Sequence, residues 1–363
     1  MTVAKPQPEA SRAPPRAELP AFLSTYASLA EPRIAAFLEA RSPAADALPV
    51  DLRPAFAALR DYVLRGGKRL RGALVVLGCE AGGGERDQAL DASIGIELLH
   101  AYLIVHDDFM DRDEVRRGGP TVHAAIARHT GSAHMGASLA VLLGSLCEAW
   151  ALELVLGAPV PAHRRVAAGQ LLARALQEVT VGQMQDVAAP LGAELSSQQV
   201  LEVERMKTGS YTFELPLRLG ALLAGAGEGV LDVLERFARP LGQAFQIADD
   251  LLGTFGSPAV TGKPNASDLR EGKRTLLVAR ALEMAAPRDA TLLRSQLGNA
   301  NLDDAGADAL REALLRSGAV QACREEAERL RAHALRALED APLPPAVVQS
   351  LRDIAAYTVG RAT

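Results

Sequence analysis

The sequence comprises 363 residues, 48% hydrophobic and only 4% aromatic, with a formal net charge of −5. That is ample apolar material for a large buried core, and it provides no basic surface for binding nucleic acid by counterion release. Cys79, Cys147 and Cys323 lie far apart, lack metal-ligand spacing and sit among apolar residues, so they predict small core residues in a reducing compartment, with cytoplasm as the expected location.

The chain starts with a proline-rich stretch without a periodic apolar face, so residues 1–20 are expected to be a disordered tail. They lack the apolar core of a signal peptide, and no uninterrupted apolar run of membrane-spanning length is expected further on. From Ala21 onward apolar residues recur at helical spacing, as in Phe22, Tyr26 and Leu29, or Phe56, Leu59, Tyr62 and Val63. Further helices are predicted at about 70–82, 88–112, 120–129, 135–156, 161–187, 197–223, 229–254, 273–285, 307–339 and 345–360. Short connections marked by Gly or Pro separate them, and no repeat or linker interrupts the series. The expected architecture is all-α: one large helical domain over residues 21–363, with its most apolar helices at the centre.

Three stretches carry chemistry. The first is Arg65-Gly66-Gly67-Lys68-Arg69-Leu70-Arg71, where two glycines allow close approach of the backbone and three cations offer donors to phosphate oxygens. The same residues would also make an ordinary helix end whose positive charges complement the dipole. The second runs from Ala92 to Arg117: an apolar helix leads into Asp107, Asp108 and Asp111, followed by Arg116 and Arg117. Carboxylates at i and i+4 share a helix face, so Asp107 and Asp111 can hold a hard cation that keeps positions open for phosphate oxygens. His100 lies two turns earlier on nearly the same face, and Leu99, Tyr102, Leu103 and His106 form a neighbouring stripe. Each histidine can equally be an ordinary buried one. The third stretch, Gly242 to Gly253, repeats the pattern with Phe245, Gln246 and the pair Asp249 and Asp250, and leads on to Lys263, Asp268 and Lys273. One Asp-Asp pair is a weak signal. Two pairs, each ending an apolar helix, predict facing helices around one magnesium site. Of the 39 Lys plus Arg only five are lysine; Lys68, Lys263 and Lys273 fall within or beside these stretches, and Lys207 begins a further Lys-Thr pair with Thr208.

Taken together and in this order, the motifs resemble those of the all-trans polyprenyl diphosphate synthases, most closely the short-chain geranylgeranyl and farnesyl diphosphate synthases. The likeness spans nearly everything after the tail and implies the isoprenoid-synthase helical bundle with a central cavity. It makes Lys68, Arg71, His100 and Arg117 ligands of isopentenyl diphosphate. Asp107 and Asp111 become direct Mg²⁺ ligands with Asp108 in support, and Asp249 a ligand of the opposite side. Arg116, Lys207, Lys263 and Lys273 would bind the allylic diphosphate. Lys207 through its carbonyl, Thr208 and Gln246 would stabilise an allylic cation, and Asp268 would act through metal-bound water. Gly182-Gln183-x-x-Asp186 resembles a further family motif. The implied cofactor is a trinuclear Mg²⁺ cluster with bound diphosphate, and the implied assembly a homodimer.

The chain departs from the family at two places: Gly253 stands where the second motif usually ends in Asp, and Gly144-Ser145 replaces a common Gly-Asp. Chain length would be set along Leu99, Tyr102 and Leu103. A single aromatic at Tyr102 with no insertion in the first motif resembles geranylgeranyl synthases, with farnesyl or longer-chain synthases as the alternative. Two other classes stay in view. A terpene cyclase shares the first acidic motif, but its second metal motif is absent, with Gly at 253 and Ser at 257. A non-catalytic subunit modulating another synthase would tolerate loss of metal acids, and Gly253 is the one residue pointing that way.

Overall fold

The computed structural model describes residues 19–44, 49–189, 194–256 and 267–360. The expected tail, apart from its last two residues, lies outside them, as does Lys263. The described chain is all-α apart from one small hairpin, Val115–Arg116 with Gly119–Pro120. The first helices are α1 (Ala21–Arg41), α2 (Arg53–Leu64), α3 (Leu70–Ala81), α4 (Leu90–Met110), α5 (Val122–Thr130), α6 (Ala133–Leu156) and α7 (Ala162–Ala188). Next come α8 (Ser197–Glu204), a π-helical stretch over Arg205–Glu214, α9 (Leu215–Ala224) and α10 (Glu228–Phe255). Six helices follow among the described residues: α11 (Ser267–Glu271), α12 (Leu276–Met284), α13 (Pro287–Gln296), α14 (Asp304–Arg316), α15 (Ala319–Arg336) and α16 (Pro345–Val359), the last of which packs on α10, α15 and, in the N-terminal half, α3.

Helix α4 is central. Almost its whole first half is buried, from Leu90 to Leu99, so its apolar residues line no single face but fill the space between α3 and α6. Helix α10 joins the two main parts of the core: Phe237 and Leu241 pack with the N-terminal helices, and Ile247 and Leu251 with the cluster formed by Leu276, Leu293, Leu310 and Leu314. Close packing between helices depends on glycine at two positions in particular. A Cβ on Gly78 would fall 2.0 Å from the Leu217 carbonyl oxygen, and one on Gly220 1.9 Å from that of Val75, so α3 and α9 touch backbone to backbone.

Several expected boundaries shift. The predicted helix 197–223 is not uniformly α-helical, because Arg205–Glu214 winds as a π-helix. The predicted helix 307–339 is two helices, broken where Gly318 takes a positive φ of 81°. Helix α13 was not predicted; Pro287 at its first turn supplies a start signal. One helix bears on the expected absence of a membrane span: α6, 24 residues with a hydropathy of 1.9 over its most apolar window, is long and apolar enough to cross a bilayer by length and composition. It packs extensively on α4 and α5, and Glu148 and Glu153 interrupt its sequence. The three cysteines are buried and free, as expected.

Candidate active site

The end of α4 carries the first acidic motif. Asp111 caps the helix, its N–H donating to the Asp107 carbonyl at 2.8 Å, so both side chains leave the same end of the helix. Asp108 turns the other way and is fully buried, accepting from Tyr62 Oη and Arg116 Nε, each at 2.5 Å. Burial pushes its carboxyl up to about 6 against the pull of Arg116. Asp108 therefore holds Arg116 in place from beneath, and Arg116 reaches on to Asp107 at 3.6 Å and Asp113 at 3.6 Å.

Two lysines approach the acids from opposite sides. Lys207 Nζ lies 3.2 Å from Asp107 Oδ1 and 2.5 Å from Asp186 Oδ2, and Gln183 Nε2 donates to the same Asp107 oxygen at 3.2 Å. Gly182 makes this possible, because a Cβ there would fall 2.6 Å from the Lys207 backbone nitrogen. The Gly-Gln-x-x-Asp segment is thus part of the site, and Gln183 and Asp186 are site residues to which sequence reading gave no role. Lys273 Nζ lies 2.9 Å from Asp111 Oδ2, 3.1 Å from Glu271 Oε2 and 3.9 Å from Asp268 Oδ1. Burial alone would neutralise both lysines; Asp107 with Asp186, and Asp111 with Asp268, outweigh it and hold them as ammonium ions. Lys273 thereby ties Asp111 of the first motif to Asp268, whose carboxylate lies where a Cβ on Gly253, the last position of the second motif, would fall.

The second motif is built differently. Asp250 is the buried member of its pair; its Oδ1 accepts from Gln246 Nε2 at 2.7 Å. Gln246, expected beside an allylic cation, is hydrogen-bonded to this acid. The other Asp250 oxygen and Glu204 Oε2 are both buried without a donor, while Glu204 Oε1 accepts from the Leu276 N–H at 3.0 Å. Burial pushes both carboxyls up, Glu204 to about 7, and the charge of Glu204 adds to the rise at Asp250. At Gly253 the departure from the family acquires a physical meaning: a Cβ there would fall 2.2 Å from Asp268 Oδ2. The space a side chain at 253 would need is taken by the Asp268 carboxylate.

No ready-made cage of three or more metal-ligating side chains exists among the described residues. The donor set nevertheless fits a magnesium ion. Its donors are carboxylate oxygens, Asp111 is pushed up by burial and by the charge of Asp107, and a cation would relieve that repulsion. Magnesium uses one or two carboxylates together with water and phosphate oxygens, so few protein ligands are required.

A second cationic cluster lies deeper. Arg117, with φ of 52°, bends back so that Nη1 donates to the Gly66 carbonyl at 2.5 Å, and a Cβ on Gly67 would crowd its guanidinium at 3.2 Å. Arg71 donates to Tyr211 Oη at 3.0 Å and Thr212 Oγ1 at 2.8 Å. Both arginines thus bond to neutral acceptors and keep their charge for an anion. His100 lies half-buried beside them; desolvation first, then Arg71 and Arg117, hold its imidazole well below the usual histidine range. Lys68 is exposed, its ammonium 5.0 Å from the Tyr357 ring centroid. Arg69, read in sequence as a phosphate donor with its neighbours, is not one: it is buried, donates to the Val63 carbonyl and pairs with Glu97, which also accepts from the Gly72 N–H at 2.7 Å.

The proposed length-determining stripe is split. Leu99 belongs to the buried core with Leu172 and Leu215, whereas Tyr102 and Leu103 are partly buried at its edge. The Tyr102 ring meets His106 edge-on at 4.7 Å, and His106 Nε2 lies 2.9 Å from the Val141 carbonyl. Gly144 admits that imidazole, since a Cβ there would fall 2.4 Å from Nε2.

Comparison with known proteins places this geometry. The polyprenyl synthetase family model matches residues 53–314. A geranylgeranyl diphosphate synthase of Sulfolobus acidocaldarius is 36% identical over 64% of this chain and 68% of its own length. A (2E,6E)-farnesyl diphosphate synthase of Mycobacterium bovis is 33% identical over 81% of this chain and 80% of its own. Among solved structures, geranylgeranyl pyrophosphate synthase of Corynebacterium glutamicum, complexed with isoprenyl diphosphate and magnesium, superposes with a TM-score of 0.87 at 32% identity, covering 95% of this chain and 99% of that one. With the match spanning most of the helical body, the chain belongs to the polyprenyl synthetase family.

Proposed function

We propose that the protein is a Mg²⁺-dependent prenyltransferase that condenses isopentenyl diphosphate head-to-tail with allylic diphosphates to a short all-trans product, geranylgeranyl diphosphate. The observation that carries this reading is the separation of two anion sites: acids bridged by Lys207 and Lys273 at the mouth, and Arg71, His100 and Arg117 deeper in, bonded to neutral groups. One site suits a diphosphate bound through metal, the other a diphosphate bound by cations alone. The terpene-cyclase alternative has no use for the second.

Asp107, Asp111 and Asp249 would hold the magnesium, which supplies Lewis-acid stabilisation of the departing diphosphate. Lys207, Lys273 and Arg116 contribute fixed positive charge on the same side, and Lys263 is assigned there by family likeness. The allylic C–O bond breaks, leaving its electron pair on diphosphate. By family likeness the Lys207 carbonyl, Thr208 and Gln246 are assigned to stabilise the resulting cation. The isopentenyl double bond then forms the new C–C bond, and the released proton passes to diphosphate. The apolar walls exclude the water that would quench the cation. Turnover of isopentenyl with dimethylallyl diphosphate, dependent on added Mg²⁺, tests the reading; a protein inert with every allylic starter would instead be a modulatory subunit.

Product length rests on Tyr102. Tyr102→Ala should shift the dephosphorylated products, separated by chromatography, to longer chains with the first condensation nearly intact; an unchanged distribution would assign the stop to another helix. Residues 21–363 are taken as a single catalytic domain. A homodimer is supported by exposed Leu142, Leu146 and Leu152 on α6 and Val181 and Met184 on α7. Sedimentation of Leu142→Arg against wild type tests it.

A further inference from the structure

Tyr211 belongs to none of the motifs above, yet it touches two of the residues assigned to the deeper anion site. It lies in the π-helical stretch that also carries Lys207 and Thr208, and it is 7% exposed. Its hydroxyl accepts from Arg71 Nη2 at 3.0 Å, and the Arg71 guanidinium lies over its ring, 4.5 Å from the centroid. The same Nη2 is held by Thr212 Oγ1 at 2.8 Å. Arg71 Nε is buried without a partner among the described residues, and the hydrogen bonds that hold this guanidinium come from the π-helical stretch. On its other side the Tyr211 hydroxyl lies 3.5 Å from His100 Nδ1, with the two rings tilted and their centroids 6.2 Å apart.

The hydrogen-bond arithmetic then becomes directional. Arg71 can only donate, so the Tyr211 oxygen is an acceptor there and its own proton must point elsewhere. His100 Nδ1 is the neighbour that can accept it. An imidazole accepting at Nδ1 carries its proton on Nε2, where it becomes a donor. We propose that Tyr211 is a positioning residue for isopentenyl diphosphate: it orients the Arg71 guanidinium through ring and hydroxyl, and fixes His100 as the Nε2–H tautomer that donates to the diphosphate. A π-helix places side chains out of register with α-helical neighbours, and here it brings Lys207 to the mouth and Tyr211 to the deeper site from one short stretch.

This inference rests on the isopentenyl assignment proposed above, and the two are separable. Tyr211→Phe keeps the stacked ring and removes only the hydroxyl. It should weaken binding of isopentenyl diphosphate, measured by calorimetry without the allylic substrate, by about tenfold, the loss of one hydrogen bond to a charged group. KM for isopentenyl diphosphate should rise in parallel, with kcat and the allylic KM changed less than about twofold. In ¹⁵N-histidine spectra, a resonance that disappears in His100→Gln should report the Nε2–H tautomer in wild type and a mixture in Tyr211→Phe. Unchanged affinity and tautomer in Tyr211→Phe, with Arg71→Ala weakening isopentenyl diphosphate, would overturn the role of Tyr211 and leave the site standing. If Arg71→Ala also bound normally, the site assignment would fall. A lower melting temperature with unaltered affinity would mark Tyr211 as purely structural and likewise overturn the proposal.

Discussion

The two acidic motifs read alike in sequence and differ in how their inward-facing acid is balanced. At the end of α4, Asp108 turns into the protein and meets a cation, with Arg116 Nε at 2.5 Å. At the end of α10, Asp250 turns in and meets another acid, Glu204, with Gln246 as its neutral donor. Two apolar helices ending in Asp-Asp thus reach opposite electrostatic solutions. In one a cation balances the buried carboxylate; in the other burial and a second acid push the carboxyl toward its neutral form. The outward acids of the first motif, Asp107 and Asp111, are clamped by Lys207 and Lys273 from elements distant in sequence.

If the first motif is the principal metal-binding half, Asp107→Ala should have the largest effect on activity. Turnover should fall at least roughly 10²-fold, about 2.7 kcal/mol in transition-state stabilisation, with the melting temperature little changed. Near-normal turnover would remove the metal assignment and leave Asp107 as a partner of Lys207 only. Asp108→Asn probes the same motif through stability. It leaves buried Arg116 without its closest anion, so a destabilisation of about 3 kcal/mol is expected in urea unfolding. A loss under about 1 kcal/mol would mean that Asp107 and Asp113 suffice to balance Arg116.

Much of this contrast was legible before any coordinates. The recurring apolar spacing pointed to the helical fold class, and the i, i+4 spacing of Asp107 and Asp111 with the recurrence of Asp-Asp at the end of a second apolar helix pointed to a candidate site. What was not legible depended on facing and on tertiary partners. A basic run does not say which member points inward; Arg69 does so because its φ of 48° turns it toward Glu97. Glu204 reads as an ordinary polar position of an amphipathic helix until Asp250 is brought against it. The π-helical stretch is equally hidden, since apolar spacing over so few residues does not separate a five-residue from a four-residue hydrogen-bond step.

A smaller effect is expected at the departure from the family pattern. Restoring the missing acid by Gly253→Asp should harm rather than help, because its Cβ would meet the Asp268 carboxylate. The cost should be about 1–2 kcal/mol in thermal unfolding of the metal-free protein, typical of overpacking. Asp268→Ala in the same chain should recover most of it, giving a coupling energy of comparable size in a double-mutant cycle. Additive effects would show that the loop carrying Asp268 moves aside freely, and Gly253 would then be a simple loss.

The smallest effect should come from Asp250→Asn, and it bears most directly on the difference between the motifs. The asparagine oxygen can keep the hydrogen bond from Gln246, and its amide supplies Glu204 Oε2 with the donor that the carboxyl pair lacks. No buried cation is left unpaired by the change, in contrast to Asp108→Asn. Stability should therefore change by no more than about 0.5 kcal/mol, and an increase is compatible with relief of acid facing acid. Turnover should fall less than about tenfold, because the outward Asp249, not Asp250, is assigned to the metal. Urea unfolding of the two Asp→Asn variants side by side provides the measurement. A loss above about 2 kcal/mol at Asp250 would mean that its ionised form is held by a partner as Asp108 is, and the two motifs would then be balanced in the same way.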